Sequence, residues 1–386
     1  MFDDFQELEE EQEDDIFGSY EPDEPEGLQL PRHSNLCLGH EQVEKKLLDL
    51  INAGNMPHAV IFSGPVGIGK STMSFRLARY LLKHGTADSA QDSLFGDAPL
   101  EATSLDVAAN DPIFSKVAAG GHPDLLTLEY SLEPKKVGKQ ADIDVYTARK
   151  VAPFLRMTSS NGGWRVVIID NADRLNRNAQ NALLKILEEP PSNALLILVT
   201  HRLGAMIPTI RSRCRVINFE PLKEEALSQL MQQEIGNTIS REEQALLSAI
   251  TSGSMGLAQK FIETGGLETT QNILSLLERW PDFNKVEIHH LSESAGRQGQ
   301  DATFDNIERI FLWVAEQIIF AKAKGQGAVP TNTPLDKGFI TSMSNSYTLP
   351  KWLEIFENLK AHFAQARFSN LDKKQAVLHA FNLIKP

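Results

Sequence analysis

The chain is organised around one stretch, Gly64-Pro65-Val66-Gly67-Ile68-Gly69-Lys70-Ser71, which follows the apolar run 58–63 and opens an amphipathic helix over 71–82. G-x-x-x-x-G-K-S between a strand and a helix is the spacing of a phosphate-binding loop. Gly64, Gly67 and Gly69 let successive backbone N–H groups curl around a polyphosphate where a Cβ would obstruct the turn. Lys70 brings a positive charge and Ser71 a hydroxyl suited to Mg²⁺. The helix aims the positive end of its dipole at the same anion. The stretch thus predicts an α/β domain built on a parallel sheet.

At 386 residues the chain exceeds one ordinary core, so two or three domains are expected. No apolar run of membrane-spanning length occurs and the first residues are acidic rather than secretory, which predicts a cytoplasmic protein without a membrane partner. Cys37 and Cys214 are the only cysteines and make neither a disulfide framework nor a C-x-x-C pair, so no zinc is expected. The net charge of −13 is concentrated at one end. Residues 1–31 hold 13 acids and no Lys or Arg, and the other 38 acids are matched by 38 Lys plus Arg. Like-charge repulsion predicts a disordered, solvated tail over 1–31. A functional alternative has it compete with DNA for a basic surface, or dock a partner through Phe2, Phe5, Ile16 and Phe17.

Along the chain, Val43, Leu47, Leu48 and Ile51 mark an amphipathic helix before the loop. From 84 to about 121 Gly, Asp, Ser and Ala are frequent, as in an insertion or long surface loop. Residues 122–128 read as a short strand, followed by a turn with Lys135, Lys136 and Lys139. A helix over 144–156 carries Val145, Ala148, Val151, Ala152 and Leu155 on one side, with Pro153 marking a kink or early stop. After Asn161-Gly162-Gly163, the run 164–170 has the continuous β-branched character of a parallel strand buried on both faces. Asp170 closes that strand at the edge where a doubly wound sheet holds its ligand, and its carboxylate can hold Mg²⁺ directly or through water. A helix over 178–189 packs Ala179, Ala182, Leu183 and Ile186 inward and stops at Pro190-Pro191. The strand 194–199 then ends in Thr200-His201, polar residues able to sense a γ-phosphate or simply to cap the strand.

Four pieces together resemble the AAA+ clamp-loader subunits of bacterial DNA polymerase III. They are the loop 64–71, the strand 166–170, the helix Asn181-Ala182-Leu183-Leu184-Lys185-Ile186-Leu187-Glu188-Glu189-Pro190-Pro191, and Pro208-Thr209-Ile210-Arg211-Ser212-Arg213-Cys214. The Ser-Arg-Cys triplet and the Asn-Ala-Leu-Leu-Lys helix are more diagnostic than the loop. Motifs cover roughly 30–260, and the rest agrees by helical character: 304–323 with Ile307, Ile310, Phe311, Val314, Ile318 and Ile319, then 352–363 and 373–383. The resemblance implies an AAA+ nucleotide-binding domain over 32–220, a small helical lid over 221–290 and an all-helical collar over 291–386. It implies a hetero-oligomeric ring with gamma/tau and delta subunits, acting in DNA replication on a sliding clamp and on primer-template DNA contacted without sequence readout. Arg213 matches the arginine that reaches a neighbouring subunit's ATP in trans. A guanidinium fork fits phosphate oxygens and never deprotonates.

Three departures from the motor subunits shape the expectation. Residues 84–121 lack the four cysteines of the family's zinc module. Asn171 stands where motors have a catalytic glutamate, and an amide accepts no proton at neutral pH. Gly253-Ser254-Met255-Gly256 stands where motors carry Gly-Ser-x-Arg. ATP or ADP with Mg²⁺ is therefore expected on Gly64, Gly67, Gly69, Lys70, Ser71, Asp170 and Thr200, with weak or absent turnover. The rivals are an active gamma/tau-type ATPase and a stand-alone P-loop kinase. The kinase would leave Ser212-Arg213-Cys214 and the helical C-terminal third unexplained.

Overall fold

The computed structural model describes residues 30–85, 101–128, 143–160, 162–236, 239–297, 301–325, 335–369 and 371–385. All but the last two residues of the acidic stretch, the lysine turn at 135–139, Asn161 and part of the expected insertion lie outside the described residues. The chain forms two compact units. Of the described residues, one unit contains those in 30–37, 44–62 and 71–217, and the other those in 38–43, 63–70 and from 218 onward.

Most of α1 (Glu41–Asn52), α2 (Lys70–His84), α3 (Pro112–Ala118), α4 (Val145–Arg149), α5 (Val151–Arg156), α6 (Arg177–Glu188) and α7 (Pro208–Arg211) lie in the first unit, around a sheet. Its strands are β1 (Ala59–Ser63), β2 (Leu125–Leu128), β3 (Arg165–Ile169), β4 (Ala194–Thr200) and β5 (Arg215–Asn218), in the order β2-β3-β4-β1-β5. The pairs β2–β3 and β3–β4 are parallel, with Leu125 opposite Val166 and Ile169 opposite Leu198. Every residue of β1, β3 and β4 is buried, which is why these strands read as unbroken apolar runs rather than alternating ones. Val167, Ile169, Leu196 and Leu198 meet Ala179, Leu183, Ile186 and Leu187 of α6 in one core cluster.

Two local features differ from the expectation. Part of the expected loop is helical, because Asp111 accepts the Ile113 N–H at 2.8 Å and Pro112 supplies a first helical residue that has no N–H to orphan. With only Phe114 and Val117 buried, α3 is too short to show a helical period. The expected 144–156 helix is interrupted at Lys150. Pro153 is the third residue of α5, where its missing N–H would have had no partner in the short helix.

Asp124 and Arg165 form a buried pair at 3.2 Å. Asp124 also accepts the Ser160 N–H at 3.1 Å, and Arg165 donates to the Phe154 and Thr158 carbonyls at 3.1 and 2.9 Å. Removing one partner of such a pair strands a buried charge, so Asp124, at the entry to β2, is an anchor between β2 and β3.

The second unit is helical beyond β5: α8 (Glu224–Glu234), α9 (Arg241–Thr251), α10 (Met255–Glu263), α11 (Gly266–Leu277), α12 (Lys285–Gly296), α13 (Asp301–Lys324), α14 (Lys337–Ser346), α15 (Leu349–Phe368) and α16 (Lys373–Leu383). A reciprocal Ser240–Glu243 capping box starts α9, and the Ser254 hydroxyl caps α10 by accepting from Leu257 N at 3.1 Å. The long helix α13 packs on α11, α14 and α15, while α12 packs on α16. Phe304, Ile307, Ile310, Phe311, Val314 and Ile318 of α13 are buried, and Phe311 meets Phe381 edge to face at 4.9 Å. The expected lid–collar division at 290/291 falls inside α12.

Candidate functional site

In the second unit, Gly67 and Gly69 take φ values of 71° and 102°, a backbone region that side chains rarely adopt. The Lys70 ammonium donates to the Gly64 carbonyl at 2.8 Å and to the Pro65 carbonyl. His40, 4% exposed, meets the Ile68 carbonyl through Nε2 at 2.5 Å and packs edge-on against Phe219. Burial holds the His40 pKa below its ordinary value and the Lys70 charge adds to this, against the opposing pull of the Ile68 carbonyl and Glu41. The imidazole is therefore neutral with a proton on Nε2, donating to the loop. On the other side of the loop, the Gly256 N–H at the start of α10 donates to the Gly67 carbonyl at 2.9 Å. A Cβ on Gly256 would lie 3.0 Å from Gly67 Cα, and one on Gly67 would lie 2.5 Å from Ser254 Oγ. The departure from Gly-Ser-x-Arg thus has a physical counterpart: an unobstructed backbone contact at position 256.

In the first unit, Ser71 Oγ donates to Asp170 Oδ1 at 2.9 Å, and the same oxygen accepts the Asn171 N–H at 2.9 Å. A hydroxyl and a carboxylate side by side are hard oxygen donors of the kind Mg²⁺ takes. No cluster of three or more His, Cys, Asp or Glu able to hold a metal occurs among the described residues, so a magnesium ion here would share its coordination with phosphates and water. The residues present fit that group. Asn171 has φ 53° and ψ 46°, left-handed backbone in which asparagine is several-fold enriched.

Thr200 ends β4 fully buried, and its hydroxyl accepts Arg202 N–H at 3.2 Å and lies 3.5 Å from Asp173 Oδ1. Within the first unit Thr200 thus has Asp173 as a side-chain neighbour. Asp173, which the motif reading passes over, also accepts the His201 N–H at 3.1 Å and faces its Nδ1 at 3.3 Å. Burial alone would raise the Asp173 carboxyl, but the His201 hydrogen bonds and charge outweigh it and hold the pKa well below the carboxylate range. The available signal was its place three residues after Asp170.

Arg213 follows α7 in a turn whose neighbours point inward. Ile210 and Cys214 are buried, and burial pushes the Cys214 thiol up to about 12. The Arg213 side chain remains at the surface, with Nη2 2.8 Å from Glu188 Oε1 and Nη1 donating to the Thr209 carbonyl at 3.1 Å. Arg211 and Arg215 are exposed too, yet neither has an ion pair among the described residues.

Residues 39–223 match a family model described as "DNA polymerase III, delta subunit". The chain is 34% identical over 157 residues to DNA polymerase III subunit delta' of Pseudomonas aeruginosa, covering 41% of each protein. It is 29% identical over 235 residues to subunit delta' of Escherichia coli, covering 60% of this chain and 63% of that one. With DNA polymerase III subunit gamma of Buchnera aphidicola it shares 26% identity over 236 residues, covering 60% of this chain and 58% of the other. The chain spans about half the length of the relatives it matches, between 41% and 63% in these three cases.

Proposed function

We infer that this chain, whose residues 39–223 match the family model described as "DNA polymerase III, delta subunit", serves as the delta-prime subunit of a replicative clamp loader. Its task is to complete a neighbouring ATP site with Arg213 while the assembly, with gamma/tau and delta subunits, places a sliding clamp on primer-template DNA. The observation that carries this reading is the Arg213 turn. Ile210 and Cys214 anchor the backbone in the core, and the guanidinium of Arg213 between them stands at the surface, where a partner's phosphate can be reached. A fixed positive fork acts on the charge that develops on a transferring phosphoryl group, so its effect falls on the chemical step.

The chain's own nucleotide, ATP or ADP, is assigned to the loop 64–70 and to Ser71 and Asp170. Mg²⁺, when bound, would neutralise phosphate charge. Loop N–H groups and Lys70 would bind the phosphates, and Ser71 and Asp170 would orient the ion's oxygen shell. Asn171 cannot act as a base and Gly256 offers no side-chain cation, which supports binding with little turnover. No helix among the described residues is long and apolar enough to cross a membrane.

The test is ATP turnover by the reconstituted loader on primed DNA with clamp, comparing the natural chain with Arg213→Ala. A loss of at least about ten-fold with the assembly intact is expected. An unchanged rate in an intact assembly would overturn the role of Arg213. Rapid turnover by the isolated chain would favour the gamma/tau-type motor instead, and a folded chain that joins no assembly would favour the stand-alone kinase.

A further inference from the structure

We propose that Glu188 is the positioning residue for Arg213, holding the guanidinium in the orientation from which it meets a neighbour's nucleoside triphosphate; this rests on the trans-acting role of Arg213 argued above. Arg211, Arg213 and Arg215 are exposed within five residues, and like charges so close tend to spread apart. Only Arg213 of the three has a carboxylate partner among the described residues, at 2.8 Å from Glu188 Oε1. The Thr209 carbonyl takes a second N–H from the other terminal nitrogen at 3.1 Å. Two acceptors on two terminal nitrogens fix both the position and the plane of the fork, leaving its other N–H groups to an incoming phosphate. A free arginine samples many rotamers, so a preset fork loses less freedom when it engages.

Glu188 is suited to this task by its place in the fold. It is the last residue of α6, and Ile186 and Leu187 beside it are buried against the sheet, so the carboxylate projects from a fixed point. Glu188 and Arg213 are both partly exposed, with side-chain exposures of 51% and 36%. A pair this open adds little to folding, so its geometry serves orientation rather than stability.

The experiment measures ATP turnover by the reconstituted loader with natural chain, Glu188→Ala, Glu188→Gln, Arg213→Ala and the double variant Glu188→Ala/Arg213→Ala. Because the arginine acts on the transition state, Glu188→Ala should lower kcat about three- to ten-fold and leave KM for ATP unchanged. Glu188→Gln, which keeps the acceptor oxygen, should recover part of that loss. The double variant should be no slower than Arg213→Ala alone, because Glu188 acts only through Arg213. A purely structural Glu188 would give additive losses, and additivity would overturn the proposal. So would an unchanged or faster rate in Glu188→Ala while Arg213→Ala is slow, an outcome that leaves the function of Arg213 standing. If Arg213→Ala itself has no effect in an intact assembly, both readings fall.

Discussion

Ser71 Oγ and Asp170 Oδ1 stand 2.9 Å apart, joining the first turn of α2 to the residue that follows β3. A hydroxyl from the phosphate-loop helix and a carboxylate from the end of a sheet strand make a two-oxygen corner, and that geometry governs how the nucleotide should depend on metal.

Asp170→Ala should weaken nucleotide binding at least about ten-fold in the presence of Mg²⁺ and change it little in excess EDTA, because the carboxylate acts through the ion. Ser71→Ala should have a smaller effect in the same direction. Titration with a fluorescent nucleotide under both conditions gives the answer. Equal affinities for Asp170→Ala and the natural chain with Mg²⁺ would remove Asp170 from the metal's shell.

Asn171→Glu is the obvious attempt to restore a catalytic glutamate, and the backbone argues against it. At φ 53° a glutamate has no short amide to bond locally, and left-handed backbone costs such a residue about 1–2 kcal/mol. The variant should unfold at lower urea concentration with an unchanged slope, and its turnover should stay far below a motor's because Gly256 still offers no cation. An unfolding midpoint equal to that of the natural chain would contradict the strain argument.

His40 makes the loop sensitive to mild acid. Its folded pKa lies below the ordinary value of 6.5, so the neutral ring belongs to the native state. The stabilisation is therefore fully present above about 6.5 and is lost as pH falls from there towards the folded value, where the unfolded chain takes up a proton that the folded one refuses. The melting temperature should drop between about pH 7.5 and 5.5, and His40→Gln should flatten that part of the profile. A His40→Gln profile parallel to that of the natural chain would show that other groups carry the acid sensitivity.

The parts of the fold that were legible are those written in local pattern. The loop, the runs that became β3 and β4, and the spacing of Ile307, Ile310, Phe311, Val314 and Ile318 on α13 each repeat a signal that one element suffices to generate. What could not be read depends on residues distant in sequence. Gly256 was visible as a missing arginine, but that its N–H would meet the Gly67 carbonyl depends on how α10 and the loop pack. Thr200 was legible as a polar strand end, able to sense a phosphate or to cap the strand, but its neighbour Asp173, 3.5 Å from the hydroxyl, is a contact that no spacing within β4 encodes. Glu188 ended a recognisable helix without announcing its partner 25 residues later. The short helix α3 was hidden because two inward residues make no period.

The contact between Gly67 and Gly256 also couples what the two positions can carry. A side chain at 256 would begin 3.0 Å from Gly67 Cα, and one at 67 would begin 2.5 Å from Ser254 Oγ on backbone at φ 71°, so a side chain at either position obliges its neighbour to shift. An arginine placed at 256 would therefore press on the loop backbone as well as add a charge, and the two effects of such a change would arrive together.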